Sequence, residues 1–399
     1  MSRDNKLVTL ALFLWGGGEG LFIYIQSLYM QQLGASPEEI GGVLALASVL
    51  AACAFIPGGW LADRFDTKKV MIGGWALGGV ASLGMGLAPD WRAFVPALLL
   101  YNISAYCIPA INSYIVEASG DAPLEHTITL TFAGYAAGSI VAPFVGGRLA
   151  EAVGTRWLYL VAAGIFLISL LTVLKVSSHA AHRRAHPTQS LRRQLRQLAP
   201  AIGFFGRMSY VFTALMIGWT LPANYLGELG WRLGDVNTWG GTAQAVGMML
   251  LAIGLGRLGA GRRRRGLLLG QGLVLAAMVM FLLTTPAQPL PAVAAYFLLG
   301  GVSPVRELSN AQIAGRLSGG VRGLALGVNE TIFALARAAA AAIAGLLYAI
   351  DPRYPFIASI TLIPIGLVWV LVSRPIAVQG EEAIVMASAG PVLIESIED

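Results

Sequence analysis

Twelve long apolar runs, at about 8–30, 41–62, 70–88, 94–116, 128–150, 157–175, 201–225, 236–256, 266–283, 291–313, 324–349 and 355–372, fill most of this 399-residue chain. A run of about 20 apolar residues is the length a helix needs to cross the hydrocarbon of a bilayer. A membrane strand needs only about 10 residues and alternates with period two, and none of these runs does so. Only 12% of the residues are charged and 56% are apolar, too few charges to cover a soluble protein of this length. Twelve crossings consume roughly 240 residues, which leaves short connections and no space for a catalytic domain. The expectation is an all-α polytopic membrane protein with twelve transmembrane helices, embedded in a lipid bilayer, and not an enzyme. The 49 glycines fit that reading, because small residues let helices approach closely in lipid.

Loop charge sets the orientation expected. With the N-terminus placed in the cytoplasm, the loops on that side hold nineteen lysines and arginines, against four (Arg92, Arg156, Arg232 and Arg353) on the other. Positive charge is retained on the cytoplasmic face, so both termini are expected there. The basic residues therefore report topology, and nucleic acid is not expected as a partner. MSRDNK before the first run has no small-residue cleavage site and reads as the start of a retained first helix. Cys53 and Cys107 both lie in apolar runs and form no metal or redox pattern; no cofactor is expected.

The longest connection, 176–200, is basic and divides the chain into bundles at 1–175 and 201–374, followed by an acidic flexible tail at 375–399. The halves echo each other near an offset of 195: YNISAYCIP from Tyr101 to Pro109 matches YFLLGGVSP from Tyr296 to Pro304. Internal duplication of this kind is a hallmark of transporters. His179, His182 and His186 share a helical face in the linker without a carboxylate or cysteine, and read as part of a membrane-surface segment with no metal.

The loop after the second run reads Gly59-Trp-Leu-Ala-Asp63-Arg64-Phe-Asp66-Thr-Lys68-Lys69. This resembles the G-x3-D-R-x-G-[RK]-[RK] signature of the major facilitator superfamily, with Asp66 replacing the second glycine and Thr67 one basic residue. The fifth run carries Gly138, Ala142, Pro143, Gly146 and Gly147, similar to the superfamily's antiporter element G-x3-G-P-x2-G-G with alanine for its second glycine. The resemblance covers about residues 5–375. It implies two pseudo-symmetric six-helix bundles in the cell (inner) membrane, and a monomer. It also implies a conformational latch in which Gly59, Asp63, Arg64, Lys68 and Lys69 engage Arg322 before the eleventh helix and hold the outward-facing state. A plain reading of the same charges is topology alone, and of the small residues, helix packing alone.

Ionisable groups inside a bilayer are costly unless paired or facing water, so each is a functional candidate. Glu19 lies near the middle of the first run, among glycines that permit a bend and give its carboxyl access to a cavity. It is the candidate for proton coupling, with a structural hydrogen-bonded carboxyl as the alternative. Arg207, Arg306, Glu307, Glu330 and Arg337 complete a set of three acids and three bases, a balance that suits mutual pairing. Arg337, nearest the midplane, is the candidate for a substrate anion or a coupling switch. Tyr24, Tyr101, Asn102, Tyr106, Asn112, Tyr210, Asn224 and Tyr296 are candidate lining of a substrate cavity, with Arg306, Glu307, Glu330 and Arg337. Three functions stay open: proton-coupled export of a small organic molecule by alternating access, uptake or exchange of a small anionic metabolite through the embedded arginines, and a non-transporting receptor or scaffold.

Overall fold

Short polar signals cut the apolar sequence into helices. The Ser36 hydroxyl accepts the Glu39 amide and the Glu39 carboxylate accepts the Ser36 amide at 2.8 Å, with Pro37 in the first turn, where its missing N–H is no loss. Asp66 accepts the Lys68 amide and Asp90 the Ala93 amide, each at 2.9 Å. The computed structural model describes residues 1–119, 124–178, 196, 198–257, 262–314, 316 and 319–373.

The helices are α1 (Arg3–Gln32), α2 (Pro37–Arg64), α3 (Thr67–Leu87), α4 (Trp91–Glu117), α5 (Leu124–Val153) and α6 (Arg156–Val173). They continue as α7 (Ile202–Glu228), α8 (Leu233–Gly256), α9 (Arg263–Leu283), α10 (Leu290–Leu299 and then Val302–Ala314), α11 (Gly319–Ile350) and α12 (Tyr354–Val372). Eleven helices among the described residues are long and apolar enough to cross a membrane. The other is α10, whose second segment contains Arg306, Glu307, Asn310 and Gln312. Ile56, Leu283, Leu290, Ile350 and Val372 are exposed on helix surfaces, an arrangement suited to lipid.

Helices α1 to α6 pack together, with α1 against α5 and α6, and α3 against α4 and α6. Helices α7 to α12 form a second group, with α7 against α11 and α12, and α9 against α10 and α12. The groups meet where α2 packs on α11, α5 on α8, and the second segments of α1 and α7 on each other.

Several helices are interrupted. Pro109 lacks an N–H and crowds the carbonyl four residues earlier, and α4 tightens to a 3-10 turn over Ser104–Cys107. Pro304 has the same effect in α10, which breaks at Gly300 and Gly301. The duplicated sequence thus coincides with one break in each group. The first helix breaks over Ile23–Ile25, just after its glycines, and α7 breaks before Pro222. A π-helical turn covers Val236–Gly241 in α8.

One boundary differs from expectation. Helix α11 starts at Gly319, so Arg322 lies in its first turn and not ahead of it; the helix continues past the apolar run. The three linker histidines and the tail from 374 lie outside the described residues.

Candidate functional site

Glycine packing brings α1 and α5 together around a carboxyl. At Gly138 a Cβ would collide with the Phe13 carbonyl, and Ala142 packs directly on Gly20. Tyr135, Gly138, Ala142 and Gly146 lie three and four residues apart, on one helical face, so the face that meets α1 carries Tyr135 towards Glu19. The Tyr135 hydroxyl donates to Glu19 Oε2 at 2.7 Å. The Tyr101 hydroxyl lies beside the same carboxyl. Glu19 is half-buried near the middle of α1, and Tyr24 beside it is half-buried as well.

An aromatic stack supports this centre. Trp15 stacks on Phe166 with ring centroids 4.2 Å apart and on Tyr101 at 6.1 Å, and meets Trp75 edge-on. Trp75 Nε1 donates to the Ser169 hydroxyl at 2.7 Å, and that hydroxyl donates to the Ala11 carbonyl. Each ring of this stack meets a ring from another helix.

Arg337 faces this centre from α11. Its Nε donates to the Ser48 hydroxyl on α2 at 3.0 Å, and it is half-buried. Its charge acts on Glu19, but among the described residues the two form no ion pair; the ion pairs there are Arg306–Glu330 and Arg148–Glu151. Arg306 Nε donates to both Glu330 oxygens, at 2.9 and 3.2 Å, and the guanidinium lies 4.9 Å from the Phe333 ring centroid. Asn310 donates to Glu330 at 2.7 Å, and Asn329 donates to Asn310 and Ser309. Glu307 is exposed and accepts the Ser303 hydroxyl at 3.2 Å. Arg207 lies 5.9 Å from the Phe204 ring centroid. The balanced set of embedded charges is therefore paired only between Arg306 and Glu330; Glu19, Glu307 and Arg337 are each met by a hydroxyl.

The two groups of helices are tied at the arginine-poor end. Asn224 donates to Gln31 at 2.7 Å and to the Ser27 carbonyl, and Gln31 donates to Glu228 at 2.9 Å. Asn237 donates to the Leu21 carbonyl at 2.7 Å, a carbonyl beside the break in α1. Gly41 and Gly345 bring the backbones of α2 and α11 into contact, and Gly147 packs against Gly234 and Thr238. Pro143 and Tyr24 approach Gly241, and Gly146 lies on Leu21 and Asn237. At the arginine-rich end of α2, Gly59 faces open space. There Arg64 lies 5.2 Å from the Trp60 ring centroid, and Thr67 donates to Glu117 at 3.1 Å, within the first group. The Lys68 amide is taken by the Asp66 cap, and Lys69 is exposed. The side chains of Asp63 and Arg322 lie outside the described residues.

Other candidates pack between helices. Tyr106 packs on Gly58 and Gly73 and donates weakly to the Val70 carbonyl at 3.4 Å. Tyr210 donates to the Leu362 carbonyl at 3.0 Å in the seam of α7 with α12. Tyr296 is fully buried against Phe281 and Gly240. These three tyrosines pack in helix seams, because a tyrosine ring fits a glycine groove as readily as a cavity wall. Asn102 is occupied by its own helix, at the Leu98 carbonyl, and Asn112 is exposed. Tyr135 meets Glu19, Ser48 meets Arg337, Asn310 meets Glu330 and Trp15 joins the aromatic stack, and all four were absent from the sequence-based set. For Tyr135 a signal existed, since it precedes Gly138 by three residues on the small-residue face.

The sequence model of the Major Facilitator Superfamily matches residues 8–227. The Multi-drug resistance efflux pump PmrA of Streptococcus pneumoniae is 27% identical over 246 residues, which is 57% of this chain and 59% of that protein. The Enterobactin exporter EntS of Citrobacter koseri is 27% identical over 245 residues, 56% of this chain and 59% of the exporter. The chain thus matches less than two thirds of the length of either relative. Among solved structures, the nucleoside transporter NupG has a TM-score of 0.69 at 14% identity, covering 92% of this chain and 98% of its own. A bacterial homolog to the human lysosomal transporter Spinster, in an inward-facing and occupied conformation, has a TM-score of 0.70 at 13% identity and covers 92% and 95%. At these identities the two structures speak for the fold alone.

Proposed function

Because the chain belongs to the Major Facilitator Superfamily, we propose that it is a secondary active transporter that exports a small organic molecule in exchange for protons. It works by alternating access, as bundles at 1–175 and 201–374 rock about a site near the bilayer midplane. The helices number twelve in this reading, with α10 spanning as well and shielding its charges from lipid. Both termini face the cytoplasm, the membrane is the cell (inner) membrane, and the monomer is the working unit. Export is supported by the printed functions of the relatives, an efflux pump and an exporter.

The observation that carries the reading is Glu19, a half-buried carboxyl near the middle of α1 that accepts from Tyr135 and feels the charge of Arg337. Such a group binds a proton from one side and releases it to the other when access changes. The contacts of Gln31, Asn224 and Asn237 close the arginine-poor end, which leaves access from the cytoplasmic side. Glycine contacts along α5 form the sliding surface, and Asp63 with its basic neighbours latches α2 to α11 in the opposite state.

Proteoliposomes test the coupling. With a pH gradient imposed, wild type moves substrate uphill, and Glu19→Gln keeps exchange but loses the response to the gradient. Gradient-driven flux of normal size in Glu19→Gln would remove the proton role. A second reading, uptake or exchange of an anionic metabolite, is favoured by the Arg337 guanidinium, whose partner is a hydroxyl. Arg337→Ala that moves anions as well as wild type removes that reading.

A further inference from the structure

Glu19 and Arg337, an acid and a base, belong to opposite groups of helices, yet each is held by a neutral hydroxyl. Tyr135 takes Glu19 Oε2 and Ser48 takes Arg337 Nε. Among the described residues neither has an ion-pair partner, although each feels the other's field. The next cation, Arg306, is neutralised by Glu330. One acidic and one basic side chain are therefore left on either side of the seam with no ion-pair partner among the described residues, both half-buried. Desolvated charges at this depth are costly unless something completes them.

The character of that missing group follows from the charges. A simple cation drawn to Glu19 meets repulsion from Arg337, and a simple anion drawn to Arg337 meets repulsion from Glu19. A molecule with both charges in opposed order is attracted at each end. The hydrogen bond at Nε leaves the two terminal nitrogens of Arg337 for a carboxylate, which guanidinium recognises bidentately.

We propose that the site takes a zwitterion, with the ammonium of the ligand at Glu19 and its carboxylate at Arg337. This rests on the reading of the space between these residues as the transport site. A proton and the ligand's ammonium compete for one carboxyl, so exchange of one for the other needs no further device. The groups facing Glu19 are Tyr135 from α5, Tyr101 from α4, Tyr24 from α1 and Arg337 from α11, and Arg306 faces Arg337.

The test uses purified full-length protein and linear ω-amino acids with two to eight methylene groups, each with its methyl ester and its N-acetyl derivative, in titration calorimetry. At least one amino acid is expected to bind, with its ester and its N-acetyl form weaker by about ten-fold or more, the loss of one charge-assisted contact. Glu19→Gln should erase the discrimination against the N-acetyl form and keep that against the ester. Arg337→Gln should do the reverse, a crossover that misfolding cannot mimic. An ester or N-acetyl form that binds wild type as tightly as its parent overturns the proposal, as does failure of every amino acid in the set to bind. If the crossover holds but a pH gradient drives no flux, the coupling reading fails and the substrate class stands. If proton-driven flux is found for a singly charged substrate only, the substrate class fails and the coupling stands.

Discussion

Tyr135 on α5 donates a 2.7 Å hydrogen bond to Glu19 on α1, so the acid near the middle of α1 is oriented by a helix that also contacts the opposite group through Gly146 and Gly147. Any sliding of α5 against α1 changes the company of that carboxyl.

Tyr135→Phe keeps the ring and deletes the donor. A hydrogen bond to a charged group is worth about 1.5–3 kcal/mol, and partial exposure of Glu19 places this one at the low end. Proton-driven flux in proteoliposomes should fall about ten-fold, with the unfolding temperature of the detergent-solubilised protein almost unchanged.

Gly41→Val puts a branched side chain where the backbones of α2 and α11 touch at Gly345. Overpacking of this kind costs about 1–3 kcal/mol, and parting the helices relieves it. Distance spectroscopy between labels on α2 and α11 should show the arginine-poor end opening in a several-fold larger fraction of molecules.

Thr238→Val should act in the opposite direction. The Thr238 hydroxyl is buried in the seam of α5 and α8 with no hydrogen-bond partner. An unsatisfied buried group costs about 1–3 kcal/mol, and valine removes the oxygen while keeping a similar shape. The same labels should report a closed end favoured several-fold over wild type.

Glu330→Gln should cost little. The pair with Arg306 is bidentate, but the side chains are 46% and 35% exposed, so solvent screening limits it to about 1 kcal/mol. Thermal unfolding of Glu330→Gln, Arg306→Gln and the double variant should yield a coupling of that order.

Asp63→Asn removes the charge assigned to the latch between α2 and α11. The fraction of molecules closed at the arginine-rich end should fall, read by distance spectroscopy across that end; an unchanged distribution would dismiss the latch.

Eleven of the helices and their order were legible because hydrophobicity alone specifies them in a bilayer, whereas the charged second segment of α10 takes that helix below the same standard. The offset of 195 between Tyr101 and Tyr296 marked equivalent places, and both helices break there, since Pro109 and Pro304 act identically on the backbone. The break in α1 was foreshadowed only by a run of glycines, because no proline marks it. Charges at depth were readable as candidates, but their partners were not. Arg306 found Glu330 across two helices, while Arg337 found Ser48 at a distance of 289 positions. Rotation about a helix axis, which periodicity in an almost uniformly apolar segment does not define, decides whether Tyr210 and Tyr296 fill seams or line a space.

The bond from Asn237 to the Leu21 carbonyl ties two events into one equilibrium. Leu21 is two residues from Glu19, and its carbonyl is met by a side chain from the other group of helices. Under the proposed alternating access, parting of that seam requires water or a re-formed helical turn to take the place of Asn237 at that carbonyl, two residues from Glu19 along the backbone. Linkage then requires symmetry: whatever occupancy of Glu19 does to the seam, the state of the seam does to the affinity of Glu19, by the same factor.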